Sequence, residues 1–549
     1  MRRSITAFIV AAAFVVQAVA QTAPLKILPA ERKAAEAITA RQLSEFLHFV
    51  ASDEMEGRDT PSRGLDLTAK FIALNLARWG FKPAGDNGTF FQKIALRRDS
   101  IDPKGTSVTF NGISYEYGED VARVAGTGNA KAPVVYAGNG WMIRSKGLDP
   151  YAGVDVSGKF IAVFGEGPIN GRNLVPLPAG VTQADLSGER GKDWADAVTY
   201  ARTHGAVGVI VLPSKFLAGN WSAVTQNFGR SRMVPEKLVP QAPAGGQQQI
   251  NILLASPKLA KAMFAGAKGD PMNGATETFE LGADKPFEFT VATKAETAWT
   301  QNVVAIWEGG DPKLKNEMVA IGAHYDHVGM NPNAPGPDKI WNGADDDGSG
   351  TVAVLSIAEA LAKAPARPKR SILLVWHCGE EKGLWGSDYF NKFPTVDIKQ
   401  VTAQLNIDMI GRSKKPGDAN PRNKELSDEN TIYVIGKDMM STTLGSVVDQ
   451  TNSGYLKLAY DTRYDDPKDP NRFFFRSDHF NYAVNGIPVV FWFDGEHEDY
   501  HQPGDEADKI DYAKMEKVTR TIFLTMWKLA GLAARPAVDK KLPPELSQR

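Results

Sequence analysis

Two periodicities share this 549-residue chain. Over residues 65–79 the apolar side chains of Leu65, Ala69, Ile72, Leu76 and Trp79 recur at gaps of four and three, which lays one buried face along a helix. Gly80 then stands where a glycine commonly stops one. Residues 43–50 repeat the period. So do 351–364, with Val352, Leu355, Ile357, Ala358 and Leu361 apolar, and 512–532, with Met515, Val518, Ile522 and Leu529 expected in the core. From 302 onward, strand candidates, several of them continuous apolar runs, alternate with helical stretches: 302–307, 318–323, 371–376, 402–407, 431–436 and 487–493. Continuous apolar runs suit strands covered on both faces, so an α/β sheet is predicted here.

Residues 110–295 have another texture. Runs at 134–136, 160–164 and 207–212 read as strands separated by Gly, Asn and Asp, with a helix over 194–204 before the last. Residues 241–249 form a low-complexity loop, expected to be exposed. Nothing in this segment gathers into a chemical cluster, so a structural or substrate-shaping module is predicted. Residues 21–40 are expected to be a mobile or helical lead-in. The Pro- and Lys-rich tail from Arg535 is expected to be loose.

Composition narrows the class without changing this picture. Hydrophobic residues make up 43% and charged residues 23%, enough for a large core, and the length suggests about three domains. A net charge of -1 gives no electrostatic case for nucleic acid or an anionic membrane. Arg2 and Arg3, the apolar run 7–16 and Ala18-Val19-Ala20 before Gln21 predict a signal peptide over 1–20. The expected mature chain is therefore periplasmic or extracellular, and it has no other stretch able to span a bilayer. Its one cysteine, Cys378, excludes an internal disulfide.

The chemistry collects in the second half. Trp341-Asn342-Gly343-Ala344-Asp345-Asp346-Asp347-Gly348-Ser349-Gly350 sets three carboxylates between glycines at the head of a predicted helix. A solvated, helix-capping turn is the plain alternative for such a run. Crowded carboxylates otherwise raise one another's pKa unless a cation is present. Six of the eight histidines (His324, His327, His377, His479, His497, His501) lie between 324 and 501. His324 and Asp326, Glu380 and Glu381, Asp408, and His501 follow predicted strands, where open α/β sheets place their sites. Imidazoles and carboxylates without thiolates suit a catalytic Zn²⁺ or a similar divalent ion. The middle of the Asp run could bridge two such ions. Asp326 could fix the tautomer of His324. One carboxylate of Glu380-Glu381 could ligate metal while the other moves a proton.

These residues carry a family resemblance. Gly322-Ala323-His324-Tyr325-Asp326, the glycine-flanked Asp run, Glu380-Glu381-Lys382-Gly383-Leu384-Trp385-Gly386-Ser387, Asn406-Ile407-Asp408-Met409-Ile410-Gly411 and Tyr500-His501-Gln502-Pro503-Gly504-Asp505 together resemble the co-catalytic zinc aminopeptidases of peptidase family M28. Ser477-Asp478-His479, followed by Gly486-Ile487-Pro488, also matches. The five parts in this order are specific; no part alone is. The resemblance covers about 43–110 and 295–533. Asp155-Val156-Ser157-Gly158-Lys159 and Gly205-Ala206-Val207-Gly208-Val209 resemble the protease-associated (PA) domain often inserted in this family.

The resemblance implies a mixed central sheet flanked by helices, of the zinc-peptidase, phosphorylase/hydrolase-like kind, with an inserted β-rich PA domain. With the signal peptide at 1–20 and the flexible tail at 535–549 read from the residues, it leaves peptidase segments at 21–109 and 296–534 and the insert at 110–295. Two Zn²⁺ per chain are implied: His324 and Asp408 on one, Glu381 and His501 on the other, Asp346 bridging. Glu380 would be the general base for a bridging hydroxide, Tyr500 would steady the oxyanion, and Asp326 would support His324. The substrates would be peptides, cut at their N-terminal residues. A carboxypeptidase or dipeptidase of the same family stays open because Arg472 and Arg476 could receive a carboxylate, and so does a non-enzymatic binding protein on this fold. His327 and His479 are expected beside the pocket, His497 is the weaker alternative to His501, and Cys378 is expected to be a buried packing residue.

Overall fold

The computed structural model describes residues 25–126, 129–167, 175–229, 233–239 and 250–547. The expected signal peptide over 1–20 and the loop 241–249 lie outside the described residues. The chain divides into two compact units, Met1–Ile94 with Thr300–Arg549, and Ala95–Trp299.

The first unit is built on strands β1 (Phe91–Ile101), β2 (Thr293–Trp307), β3 (Met318–His324), β4 (Ser371–His377), β5 (Val401–Ile407), β6 (Thr431–Ile435), β7 (Ala459–Asp461) and β8 (Val489–Phe493); β1 and β2 run past its borders. Their order is β1-β2-β4-β3-β5-β8-β6-β7. The inner four, β4, β3, β5 and β8, are mutually parallel, whereas β2 joins β4 and β6 joins β8 antiparallel. Helices α1 (Ala40–Val50), α2 (Arg63–Arg78), α3 (Gly350–Lys363), α4 (Trp385–Lys392), α5 (Thr442–Gly454), α6 (His479–Val484) and α7 (Tyr512–Gly531) cover the sheet. Strand residues alternate between faces: Met318 and Ala320 pack with Phe390 of α4 and Phe480 of α6, while α3 and α7 lie against β3 and β5. This two-sided cover explains the continuous apolar runs.

Local signals place the helix ends. Ser62 accepts from Leu65 N at 3.1 Å to start α2. At its other end Phe81 N donates to Leu76 O and Gly80 N to Ala77 O, with Gly80 at φ +81°, the reciprocal pair of a Schellman stop. Strand β7 was not legible in sequence, since three residues, Ala-Tyr-Asp, leave no periodicity to find. The tail expected to be loose is anchored at two points. Asp539 Oδ1 accepts from Thr442 N at 2.9 Å, capping the first turn of α5, and Leu546 is buried in the main core.

The second unit holds a six-stranded sheet in the order Phe279–Leu281, Val134–Tyr136, Phe160–Val163, Gly208–Val211, Asn251–Ala255, Val121–Ala125, whose inner four strands are parallel. A four-stranded sheet accompanies it, and Phe160 meets Phe287 edge-on at 5.1 Å. The helix expected over 194–204 is shorter, Ala197–Thr203, because the Asp196 carboxylate accepts from Thr199 N and caps it, leaving Trp194–Ala195 extended.

Candidate metal centre

Parallel pairing brings the candidate groups to one edge of the sheet. His324 closes β3 directly opposite His377, which closes β4. The turn after β4 carries Glu380 and Glu381, Asp408 follows β5, and the loop beyond β8 carries Tyr500 and His501.

The Asp run enters this edge under tight control. The guanidinium of Arg58, wholly buried, donates to the carbonyls of Tyr325, Asn342, Gly343 and Val50 at 2.6–3.0 Å. Asp505 accepts from the backbone N–H groups of Asp345 and Asp346, each at 3.0 Å. Gly343 has φ +56°, and a Cβ there would stand 2.4 Å from Asp346 O and 2.5 Å from the His327 ring. No other residue type fits that position.

The three carboxylates then take three tasks. Asp345 Oδ1 accepts from Gly411 N at 2.7 Å, and its Oδ2 lies 3.3 Å from His497 Nε2. Asp347 accepts from His324 N, Gly350 N and Met409 N, tying the ends of β3 and β5 to the head of α3. Only Asp346 faces the site. Its Oδ1 is 3.2 Å from His324 Nε2, and its Oδ2 is 3.2 Å from His501 Nε2. Two groups of potential ligands share it: His324, Asp346 and Asp408 on one side, and His327, Asp346, Glu381 and His501 on the other. Asp408 Oδ1 is 3.5 Å from His324 Nε2, and Glu381 Oε2 is 2.9 Å from His501 Nε2. These are the only such groups among the described residues.

The electrostatics follow from burial. Burial works against the Asp346 carboxylate, but His324 and His501 outweigh it and hold the group well below the usual range. Burial likewise opposes a charged His501, yet Asp346 and Glu381 push it up to about 10. Glu381 is also opposed by burial but is held low by His327 and His501. Glu380 goes the other way. Burial, with Glu381 and Asp408 nearby, raises it well above an ordinary glutamate against the pull of His324. Carboxylates packed this closely require positive charge between them.

The set fits a divalent ion in its chemistry and its loose ends. Buried atoms His501 Nε2, Glu381 Oε1 and both ring nitrogens of His327 lack an aligned hydrogen-bond partner, although His327 Nδ1 lies 2.8 Å from Glu381 Oε1. Imidazole and carboxylate donors without thiolate suit zinc.

The remaining residues surround this centre. Asp326 approaches His324 through its backbone: its carbonyl is 3.1 Å from Nδ1 and its carboxylate 3.7 Å, while that carboxylate accepts from Glu380 N at 3.2 Å. Tyr500 stacks on His501 with ring centroids 4.1 Å apart, and its hydroxyl accepts from Arg476 Nη2 at 3.1 Å. Asp346, Glu380, Asp408 and Tyr500 line a cleft of about 350 Å³ with Met409, Phe473, Phe491, Phe493, Arg476 and Glu496. His497 lies behind the run on Asp345. His479 stacks on Phe491 at 4.5 Å and is held neutral by burial, which pushes it down to about 3. Cys378 is buried, with its thiol pushed far up. His327, expected beside the pocket, stands in the second group with Asp346, Glu381 and His501. Sequence reasoning missed Arg58, whose polar, turn-rich surroundings gave no signal.

Residues 302–526 match the model of Peptidase family M28. Leupeptin-inactivating enzyme 1 of Streptomyces exfoliatus is 31% identical over 210 residues, 38% of this chain and 38% of that protein. A probable leucine aminopeptidase of Arthroderma otae is 30% identical over 250 residues, 44% of this chain and 60% of that protein. The aligned part thus spans less than two thirds of these relatives' own length. The solved aminopeptidase from Aneurinibacillus sp. strain AM-1 superposes at a TM-score of 0.46 with 16% identity, covering 94% of this chain and 98% of that one, too loose a fit to carry weight. Every candidate ligand group thus lies inside the segment that matches peptidase family M28.

Proposed function

We propose that this chain is an exported, zinc-dependent aminopeptidase. The observation that carries the reading is the placement of Asp346, whose two oxygens face two separate sets of imidazole and carboxylate donors. His324 and Asp408 would hold one ion and Glu381 and His501 the other, with Asp346 between them. Two zinc ions bound there would polarise the scissile carbonyl and ease deprotonation of water. Glu380, its basicity raised by burial, takes the proton of the attacking water and returns it to the leaving amine. Arg476 donates to the oxygen of Tyr500, which leaves the phenolic proton free for the oxyanion, and burial keeps that phenol protonated.

The cleft favours an amine end over a carboxylate end. Arg476 is paired with Glu496 at 2.7 Å, and Arg472 is an exposed side chain stacked over Phe475. Arg476 and Glu496 offset each other, so among the residues lining the cleft no unpaired side-chain cation is left to receive a substrate carboxylate. This disfavours the carboxypeptidase reading, and the complete ligand set disfavours a binding protein. Phe473, Phe491, Phe493 and Met409 form an apolar wall suited to a bulky N-terminal side chain, in keeping with the relative described as a leucine aminopeptidase. Residues 110–295 would form the PA insert.

A panel of aminoacyl p-nitroanilides, N-acetylated peptides and C-terminally amidated peptides tests the proposal. Leucyl, methionyl and phenylalanyl substrates should be cleaved, C-terminal amidation should be tolerated, and N-acetylation should block cleavage. Cleavage of N-blocked peptides from the C-terminus, or full activity in metal-free protein, would overturn it.

A further inference from the structure

We propose that Trp341 is a positioning residue for His501, acting through the hydrogen bond from its indole Nε1–H to the His501 carbonyl; this rests on the proposed zinc site. The bond is 3.1 Å long and joins positions 160 residues apart. His501 needs such a hold. Its backbone sits at φ +52°, the left-handed region that a residue with a Cβ rarely adopts. In that conformation its imidazole reaches Asp346 Oδ2 and Glu381 Oε2. If the carbonyl is released, the backbone can relax toward extended values, and the Cα–Cβ bond that aims the ring turns with it.

Trp341 is built to supply a fixed point. Its own N–H donates to Gly329 O at 3.0 Å, and a Cβ on Gly57 would stand 2.6 Å from the Trp341 carbonyl, so two arms of the β3–α3 connection and the turn at Gly57 meet backbone to backbone. The next residue, Asn342, is held by Asp53 at 2.8 Å and Glu506 at 3.0 Å through its amide, and by Arg58 through its carbonyl. The indole therefore projects from a platform that also carries the Asp run. Both halves of the His501–Asp346 pair are thus referred to one frame. The Tyr500 ring packed on the imidazole then limits its rotation.

Zinc isotherms in metal-buffered solution, measured on the full chain, test this. Trp341→Phe removes the donor, and replacement of Trp341 by β-(3-benzothienyl)alanine removes it while keeping the bulk, so the second variant decides if the first does not fold. Each should weaken one of the two zinc sites by about 10–100-fold, as outer partners of metal ligands do, and leave the other unchanged. His501→Ala should lose the same site, and adding Trp341→Phe to it should change nothing further. Two wild-type-like sites in the isostere overturn the inference. Equal weakening of both sites, or a further loss in the His501→Ala background, does so as well. In metal-free protein the ¹³Cα shift of His501 should leave left-handed values in both variants, and an unchanged shift overturns the inference whether or not zinc binds. Absence of zinc from the wild-type protein would instead overturn the proposed function.

Discussion

Neighbouring residues of one type have opposite fates here, and the cause lies in what each side chain meets. Asp345 and Asp347 spend their charge on backbone N–H groups, which leaves Asp346 as the member of the run facing the imidazoles. Glu380 and Glu381 divide similarly: His327 and His501 hold Glu381 ionised, whereas burial raises Glu380 toward the range of a usable base. Glu380→Gln keeps the shape and removes the basic oxygen. It should leave zinc content near normal and lower kcat by at least the ~10²–10⁴ typical of general acid–base work. Glu381→Gln should lower occupancy at one site and recover in part with excess zinc. Zinc content and kcat measured on the same preparations separate the two. The opposite pattern would exchange the roles.

At the scale of elements, strand ends are held by side chains from distant loops. Asp465 turns inward and accepts from Gly436 N at 2.6 Å, just past β6. Burial pushes this carboxyl from 3.8 up to about 6 despite that N–H and Lys437. The sign follows from linkage. The folded state holds its proton to a higher pH than the unfolded state, so stability falls as pH rises from about 4 to 6 and then levels off. Asp465→Asn keeps an acceptor and cannot ionise. Relative to wild type it should be near neutral at pH 4 and more stable by about 2–3 kcal/mol at pH 7, since one pKa unit is worth about 1.4 kcal/mol. Denaturant melts of both proteins at the two pH values check this. An offset that does not change with pH would show that Asp465 ionises normally in the fold.

At the scale of the whole molecule, both ligand groups found among the described residues belong to the unit Met1–Ile94 with Thr300–Arg549. Their parts come from four strand ends, so bound zinc should link loops that the sheet alone leaves separate. Purified chain is expected to hold about two zinc ions, and chelation should abolish activity and lower Tm. A site saturated at 1,000 times its Kd contributes about 4 kcal/mol to stability. The full chain with His324→Ala and Glu381→Ala should retain no tightly bound zinc. Stoichiometric zinc in that variant would place a site in Ala95–Trp299, against the reading of that unit as free of metal.

Much of this protein was legible in its sequence because local rules produced it. The three- and four-residue spacing of apolar positions in α2, its Schellman glycine and the apolar runs of β3 and β4 state which segments are helices and which are strands covered on both faces. The predicted strands put His324, Glu380, Glu381, Asp408 and His501 after strand ends, where parallel pairing gathers them, and the predicted helix put Asp346 at its head. Tertiary structure alone decided the rest. Whether His327 faces Glu381, how Arg58 reaches the carbonyls of Tyr325, Asn342 and Gly343, and why Leu546 is buried all depend on contacts between residues tens to hundreds of positions apart. Such contacts leave no periodicity, because each is a single meeting of two side chains fixed by the packing of everything between them.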